Sequence, residues 1–238
     1  MSLNTIGLKY DDIHYGSQLN KNYLVEKGVN HNFLDAFQSG LESIFSNLKT
    51  NQSRTFEKLF AAKEYALLET KEFDGTSLFT LTLLYESGLL SSNLINGRTI
   101  SRRVKSQKVI PKTLEFLDVR LHGYYQYLNG LSVTKNNNPF VLENYLLPRS
   151  FNAFDELDSY MKDHELNIKF KGDVNVDSKS LLVWIYCNQD RLILIDKNSP
   201  DKALLEACVA NNGNYELKNL SVEDIDIYCA NIISNFGC

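Results

Sequence analysis

Two short apolar runs near the C-terminal end, "LLVWIYC" and "RLILID", are parted only by Asn188, Gln189 and Asp190. Both have strand length and a high content of branched and aromatic side chains, and the polar gap between them suits a hairpin. Such strands read as buried, so the rest of the chain must supply elements that cover them. With 238 residues it can do so as one large domain or as two small ones.

Helical spacing supplies candidates for that cover. From His31, the residues Leu34, Phe37, Leu41, Ile44, Phe45 and Leu48 recur on one stripe. A second helix is expected after Ser53, with Phe56, Leu59, Phe60, Ala66 and Leu67 facing inward, and should stop near "FDG", where Gly75 suits a helix end or a turn. "TSLFTLTLLYESGLLSSNLI" alternates like a strand, yet its length and helical neighbours favour another helix broken near Gly88. Beyond Pro111, the residues Leu114, Leu117, Leu121, Tyr124, Tyr125 and Leu128 form a further stripe, closed by Gly130.

The texture changes after "SVTKNNNPF", whose three Asn before Pro139 read as a linker. Residues 1–131 are thus expected to be mainly helical, 132–148 to connect, and 149–238 to form an α+β region, with the two halves free to pack as one domain. Within the latter, "SFNAFDELDSYMKDHE" reads as a helix, and so does "SPDKALLEACVANNG", with Ser199 as its N-cap. "NYELKNL" reads as a short strand. The last helix should begin at Ser221, whose spacing to Asp224 fits a capping box. Val222, Ile225, Cys229, Ile232, Ile233 and Phe236 form its inner face. The fold class expected is α+β, with a helix-rich first half and a small hairpin or sheet packed by helices in the second. The first thirty residues show no period, and no internal repeat is visible.

Charge and composition narrow the function classes. A net charge of −4 opposes a general nucleic-acid or anionic-membrane binder, although binding follows local distribution more than the total. No apolar run reaches membrane-spanning length and the first residues lack a secretory layout, so a cytoplasmic location is expected. The four cysteines, Cys187, Cys208, Cys229 and Cys238, form no C-x-x-C pair, and read as small packing residues.

Three constellations carry candidate chemistry. "NGRTISRRVKSQKVIPK" holds Arg98, Arg102, Arg103, Lys105, Lys108 and Lys112 with no acidic residue, and Tyr124 and Tyr125 follow nearby. Arg and Tyr are favoured at binding hot spots, so these residues form a candidate surface for an acidic protein partner. A plain solvated loop between two helices accounts for the same cluster, and phosphate contact is a further reading. Glu115, Asp118 and His122 share one side of the expected helix, a spacing that suits a metal or a shared proton. Asp196 with Glu216 and Lys218 is similar to the Asp…Glu-x-Lys pattern of metal-dependent nucleases, in which two carboxylates hold Mg²⁺ and the lysine orients water.

Phosphate-loop, dinucleotide-loop, nucleophile-elbow and H-E-x-x-H signatures are absent. The expectation is therefore a non-enzymatic protein-binding module, such as a bacterial inhibitor, adaptor or toxin-neutralising immunity protein, with no cofactor and no membrane partner. A metal-dependent nuclease or nucleic-acid-binding protein is the alternative.

Overall fold

The computed structural model describes residues 10–86, 88–94, 112–135, 155–163, 169–170, 177–188, 191–199, 201, 203–209 and 214–234. Two antiparallel sheets of five strands organise them. The first runs in chain order through β1 (Asp12–His14), β2 (Glu64–Lys71), β3 (Ser77–Leu84), β4 (Gly88–Asn93) and β5 (Ser132–Lys135). The second runs likewise through β6 (Asp155–Glu156), β7 (Leu181–Asn188), β8 (Arg191–Asp196), β9 (Leu204–Val209) and β10 (Tyr215–Leu220). In each sheet a short edge strand is followed by helical chain and then by a four-stranded meander. The sequence carries no repeat that announces this likeness.

Five α-helices lie between β1 and β2: α1 (Lys21–Glu26), α2 (His31–Ser39), α3 (Leu41–Ile44), α4 (Ser46–Asn51) and α5 (Ser53–Phe60). The stripe from Leu34 to Leu48 is buried as expected, but it belongs to three short helices. The chain breaks at Gly40, whose φ of 112° lies in the region that glycine enters most easily. Helix α6 (Leu157–Asp163) covers the second sheet on one face, and α7 (Val222–Ser234) closes the other. At its start, Ser221 N–H donates to Asp224 Oδ2 at 2.8 Å and Asp224 N–H to Ser221 Oγ at 3.1 Å, the expected reciprocal cap.

The fold is α+β, but strands are not confined to the second half. "TSLFTLTLLYESGLL" forms the β3–β4 hairpin where a helix was expected. Phe79, Leu81 and Leu83 face the helices, while Thr82 and Leu84 are buried on the opposite face. A strand covered on both sides loses the clean alternation that would mark it. "ALLEACV" is also a strand, β9, because pairing with both β8 and β10 outweighs the helix preference of Ala, Leu and Glu. Ala66 and Leu67 belong to β2, α5 having ended at Phe60, and Phe60 itself is 55% exposed rather than inward. Of the expected linker, 132–135 is β5; the remainder lies outside the described residues.

One apolar cluster joins α2–α5 and the first sheet to β7, β8 and α7. At its centre Trp184 is fully buried and donates its indole N–H to Tyr125 Oη at 2.8 Å. Tyr125 sits in a 3₁₀ helix (Val119–Tyr125) that presses against α4. A Cβ on Gly123 would stand 2.7 Å from Leu48 Cδ2 and 3.3 Å from the Asn47 carbonyl carbon. Overfilled contacts of this kind cost about 1–3 kcal/mol. Gly123→Ala should therefore lower stability by about 2 kcal/mol, read from the midpoint of denaturant unfolding. An unchanged midpoint would show that the 3₁₀ segment shifts freely away from α4.

Candidate functional site

Among the described residues the most deeply buried carboxylate is Glu69, on the helix-covered face of β2 and only 1% exposed. A bare buried carboxylate is costly, so its hydrogen bonds decide whether it is tolerated. Three side chains from three elements supply them. Ser77 Oγ, at the start of β3, donates to Oε1 at 2.6 Å. Tyr23 Oη, from α1, reaches Oε1 at 2.9 Å and Oε2 at 3.1 Å. His14 Nε2, from β1, lies 3.2 Å from Oε2. Burial pushes the Glu69 carboxyl upward, but the bonds from Ser77, Tyr23 and His14 outweigh it and hold the group below its ordinary 4.5. Burial and the same carboxylate push the Tyr23 phenol upward.

Ser77, His14 and Glu69 are not a catalytic triad. The serine hydroxyl donates to the carboxylate, whereas a triad needs it on the imidazole that would take its proton. The network is a footing: it ties β1, α1 and the base of the β2–β3 hairpin to one ionised group. Because the folded carboxyl is depressed, its contribution is complete above the unfolded value and is lost as pH falls toward the folded one. Glu69→Gln should therefore flatten the acid side of the stability–pH profile below about pH 4.5, measured by thermal melts across buffers. An acid limb as steep as that of the parent would assign acid sensitivity to other carboxylates.

Above this footing the hairpin closes through an ordered turn. Glu72 N–H donates to Thr76 O, and Gly75 N–H to Glu72 O, each at 2.9 Å. Asp74 Oδ1 accepts from Thr76 N–H at 2.8 Å, and Gly75 takes a φ of 78°. The turn holds Phe73 at its apex, fully exposed. Next to it, the Lys71 N–H donates to Asp11 Oδ2 at 2.5 Å, so the residue preceding β1 is pinned against the hairpin. The corner thus displays one aromatic ring among the exposed carboxylates of Asp11, Asp12, Glu72 and Asp74, with Lys71 as the neighbouring cation.

The sequence candidates fare differently. Arg98, Arg102, Arg103, Lys105 and Lys108 lie outside the described residues, and Lys112 begins a 3₁₀ helix (Lys112–Phe116). Tyr124 and Tyr125, expected on a contact surface, are interior at 2% and 5% exposure. Tyr124 Oη donates to Gln52 Oε1 at 2.9 Å, and Tyr125 accepts the Trp184 indole N–H. An apolar stripe that serves the core leaves its aromatic members no surface to offer.

Glu115, Asp118 and His122 do not share a helix face, because the segment forms two 3₁₀ turns rather than one α-helix. Asp118 caps the second turn and is bound by Arg120, at 3.0 Å from Nε and 2.7 Å from Nη2. His122 Nε2 sits 3.0 Å from both the Leu114 and the Leu117 carbonyl oxygens. Among the described residues no group of three or more His, Cys, Asp or Glu could hold a metal.

The nuclease-like trio is separated by the sheet itself. Glu216 pairs with Cys208, and Cys208 with Arg191, at the opposite end of β8 from Asp196. Five residues of strand amount to about 17 Å. Ile195, Leu204 and Leu220 share a face with Glu216 and Lys218, so Asp196, one residue on, points to the other face. The two carboxylates therefore cannot share an ion. Of the described cysteine side chains, Cys229 is fully buried. Burial, then the nearby Glu206 charge, push the Cys208 thiol up, away from a reactive thiolate.

The sequence reading missed both the Glu69 network and Phe73. The signal available for the latter was "KEFDGT", an aromatic between two acids at a glycine turn. The architecture defines an α+β protein with two antiparallel meanders and a projecting acidic–aromatic corner. No protein-family model matches the chain, and no curated protein or solved structure matches it significantly. Among the described residues, no helix is long and apolar enough to cross a membrane.

Proposed function

We propose that this chain is a non-enzymatic protein-binding module, an inhibitor, adaptor or immunity-type protein, and that its described contact is the Phe73 corner. The observation that carries the reading is the ordered, fully exposed aromatic apex set among four exposed carboxylates. Single exposed apolar residues are commonplace and need no explanation. Phe73 differs because four hydrogen bonds around it, from Glu72, Asp74, Gly75 and the Asp11–Lys71 contact, hold the turn that presents it. Such an arrangement suits an apolar pocket rimmed by Lys or Arg, since complementary charge steers encounter and the ring supplies the buried anchor.

This chemistry selects a basic partner surface, whereas Arg98 to Lys108 would select an acidic one. The two can coexist on one protein. The nuclease alternative loses its support with the divergence of Asp196 from Glu216 and Lys218. The test is quantitative capture from source-cell lysate by the parent chain and by Phe73→Ala, at two salt concentrations. A stoichiometric partner that is retained by the parent, weakened by salt and lost from the variant supports the reading. A partner held equally by both overturns it.

A further inference from the structure

We propose a second site, independent of the Phe73 corner: the groove between β8–β10 and α7 binds a small organic carboxylate with a short apolar tail. The groove encloses about 300 Å³, the lower end of the range for ligand pockets. Its floor is apolar, made by Ile193 and Leu220 from the sheet and by Ile227 and Ile232 from the helix. The sheet register explains how polar groups come to meet it. Ile193, Glu206 and Lys218 form one row across three strands, and Arg191, Cys208 and Glu216 form the next.

The charges lining the groove are not equally available. Glu206 is paired with the Arg191 guanidinium, which also lies over the Tyr228 ring at 5.2 Å from its centroid. Asp224 is held by the N–H of Ser221 at 2.8 Å and by its hydroxyl at 2.7 Å. Both lining carboxylates are thus engaged in structural bonds. Lys218 is exposed; its ammonium has no hydrogen bond or ion pair within bonding distance among the described residues, although its charge acts on Asp224 across the groove. The side-chain amide of Asn231 stands on the helix wall of the same groove. A cation above an apolar floor favours a ligand with a negative head and a hydrocarbon body. A cationic amphiphile would meet the repelling Lys218 ammonium and a Glu206 already paired with Arg191, leaving the Asp224 charge, hydrogen-bonded to Ser221, as its one attraction among these groups.

The test uses the full chain, labelled with ¹⁵N and titrated separately with hexanoate, hexylammonium and 1-hexanol while amide shifts are followed. Hexanoate should saturate shifts along 191–193, 206–208, 218–220 and 224–232. Its midpoint should lie roughly tenfold below those of the other two probes, the scale of one charge-assisted hydrogen bond. Lys218→Gln should raise that midpoint by a similar factor, and Lys218→Arg should restore it. Unchanged shifts at the remote Leu34 and Phe79 certify that each variant is folded. Equal midpoints for the three probes, shifts that never saturate, or indifference to Lys218→Gln would each overturn the proposal. Phe73→Ala should leave the titration unaltered, so failure here and failure of the protein-binding reading are separable.

Discussion

Replacing Asp226 with alanine should lower unfolding free energy by about 3 kcal/mol, the loss of charge-assisted hydrogen bonds to a buried helix end, and the melting temperature by about 10 °C. Helix α5 begins after Gln52, whose side chain does not cap it. The orphan N–H groups of its first turn must find partners elsewhere, as at every helix start. Asp226, buried on α7, supplies them: Arg54 N–H donates to Oδ2 at 3.1 Å and Thr55 N–H to Oδ1 at 2.8 Å. The Thr55 hydroxyl returns a bond to the Asp226 carbonyl at 3.1 Å. The negative charge also faces the positive end of the α5 dipole.

This cap is borrowed from 171 residues away in the chain, so its loss weakens the contact between the two halves together with one helix start. Asp226→Asn keeps an acceptor but no charge and should cost about half as much. Glu223, exposed on the first turn of α7 and 3.6 Å from Arg54, provides the comparison. Glu223→Ala should change stability by less than about 0.5 kcal/mol. Chemical denaturation of the three variants decides the matter, and equal effects for Asp226→Ala and Glu223→Ala would refute the cross-chain cap.

The second large effect concerns binding. Once a partner is in hand, Phe73→Ala should weaken it at least about 30-fold, roughly 2 kcal/mol for a hot-spot aromatic. Folding stability should move by less than about 0.5 kcal/mol, because the ring touches no core. Asp12→Asn and Glu72→Gln should act differently, slowing association and reducing its salt dependence while changing dissociation little. Surface plasmon resonance separates these arms. An affinity insensitive to Phe73 but sensitive to the charges would leave electrostatic steering and remove the aromatic anchor.

Particular elements show how far the sequence could be read. The "LLVWIYC" and "RLILID" runs pair as β7 and β8, and the Ser221–Asp224 box starts α7. In both cases the determining interactions lie within a few residues of each other. The β3 and β9 strands were illegible for the opposite reason. Thr82 and Leu84 are covered on one face and Phe79, Leu81 and Leu83 on the other, by chain segments far away in sequence. Ala207 and Leu205 are strand residues only because β8 and β10 flank them.

The candidate site follows the same division. Asp74 and Gly75 mark a turn by their own chemistry, so the place where Phe73 projects was written locally. That Asp11 is pinned beside Lys71, and that Ser77, Tyr23 and His14 converge on Glu69, depends on four elements meeting. Nothing in the spacing of those residues foretells it. The same limit misled the other way at Asp196, Glu216 and Lys218, where a motif's residue types were present and the strand register turned them to opposite faces.

By itself, then, the sequence determined the features whose partners are near neighbours: the β7–β8 hairpin, the capped last helix, the glycine turn below Phe73 and the apolar stripe from Leu34 to Leu48. The tertiary structure alone decided which stripes became strands, which tyrosines were interior, and which charged groups faced one another. Caps, turns and periodicity act over a few residues, whereas burial and pairing are set by whatever the chain brings alongside.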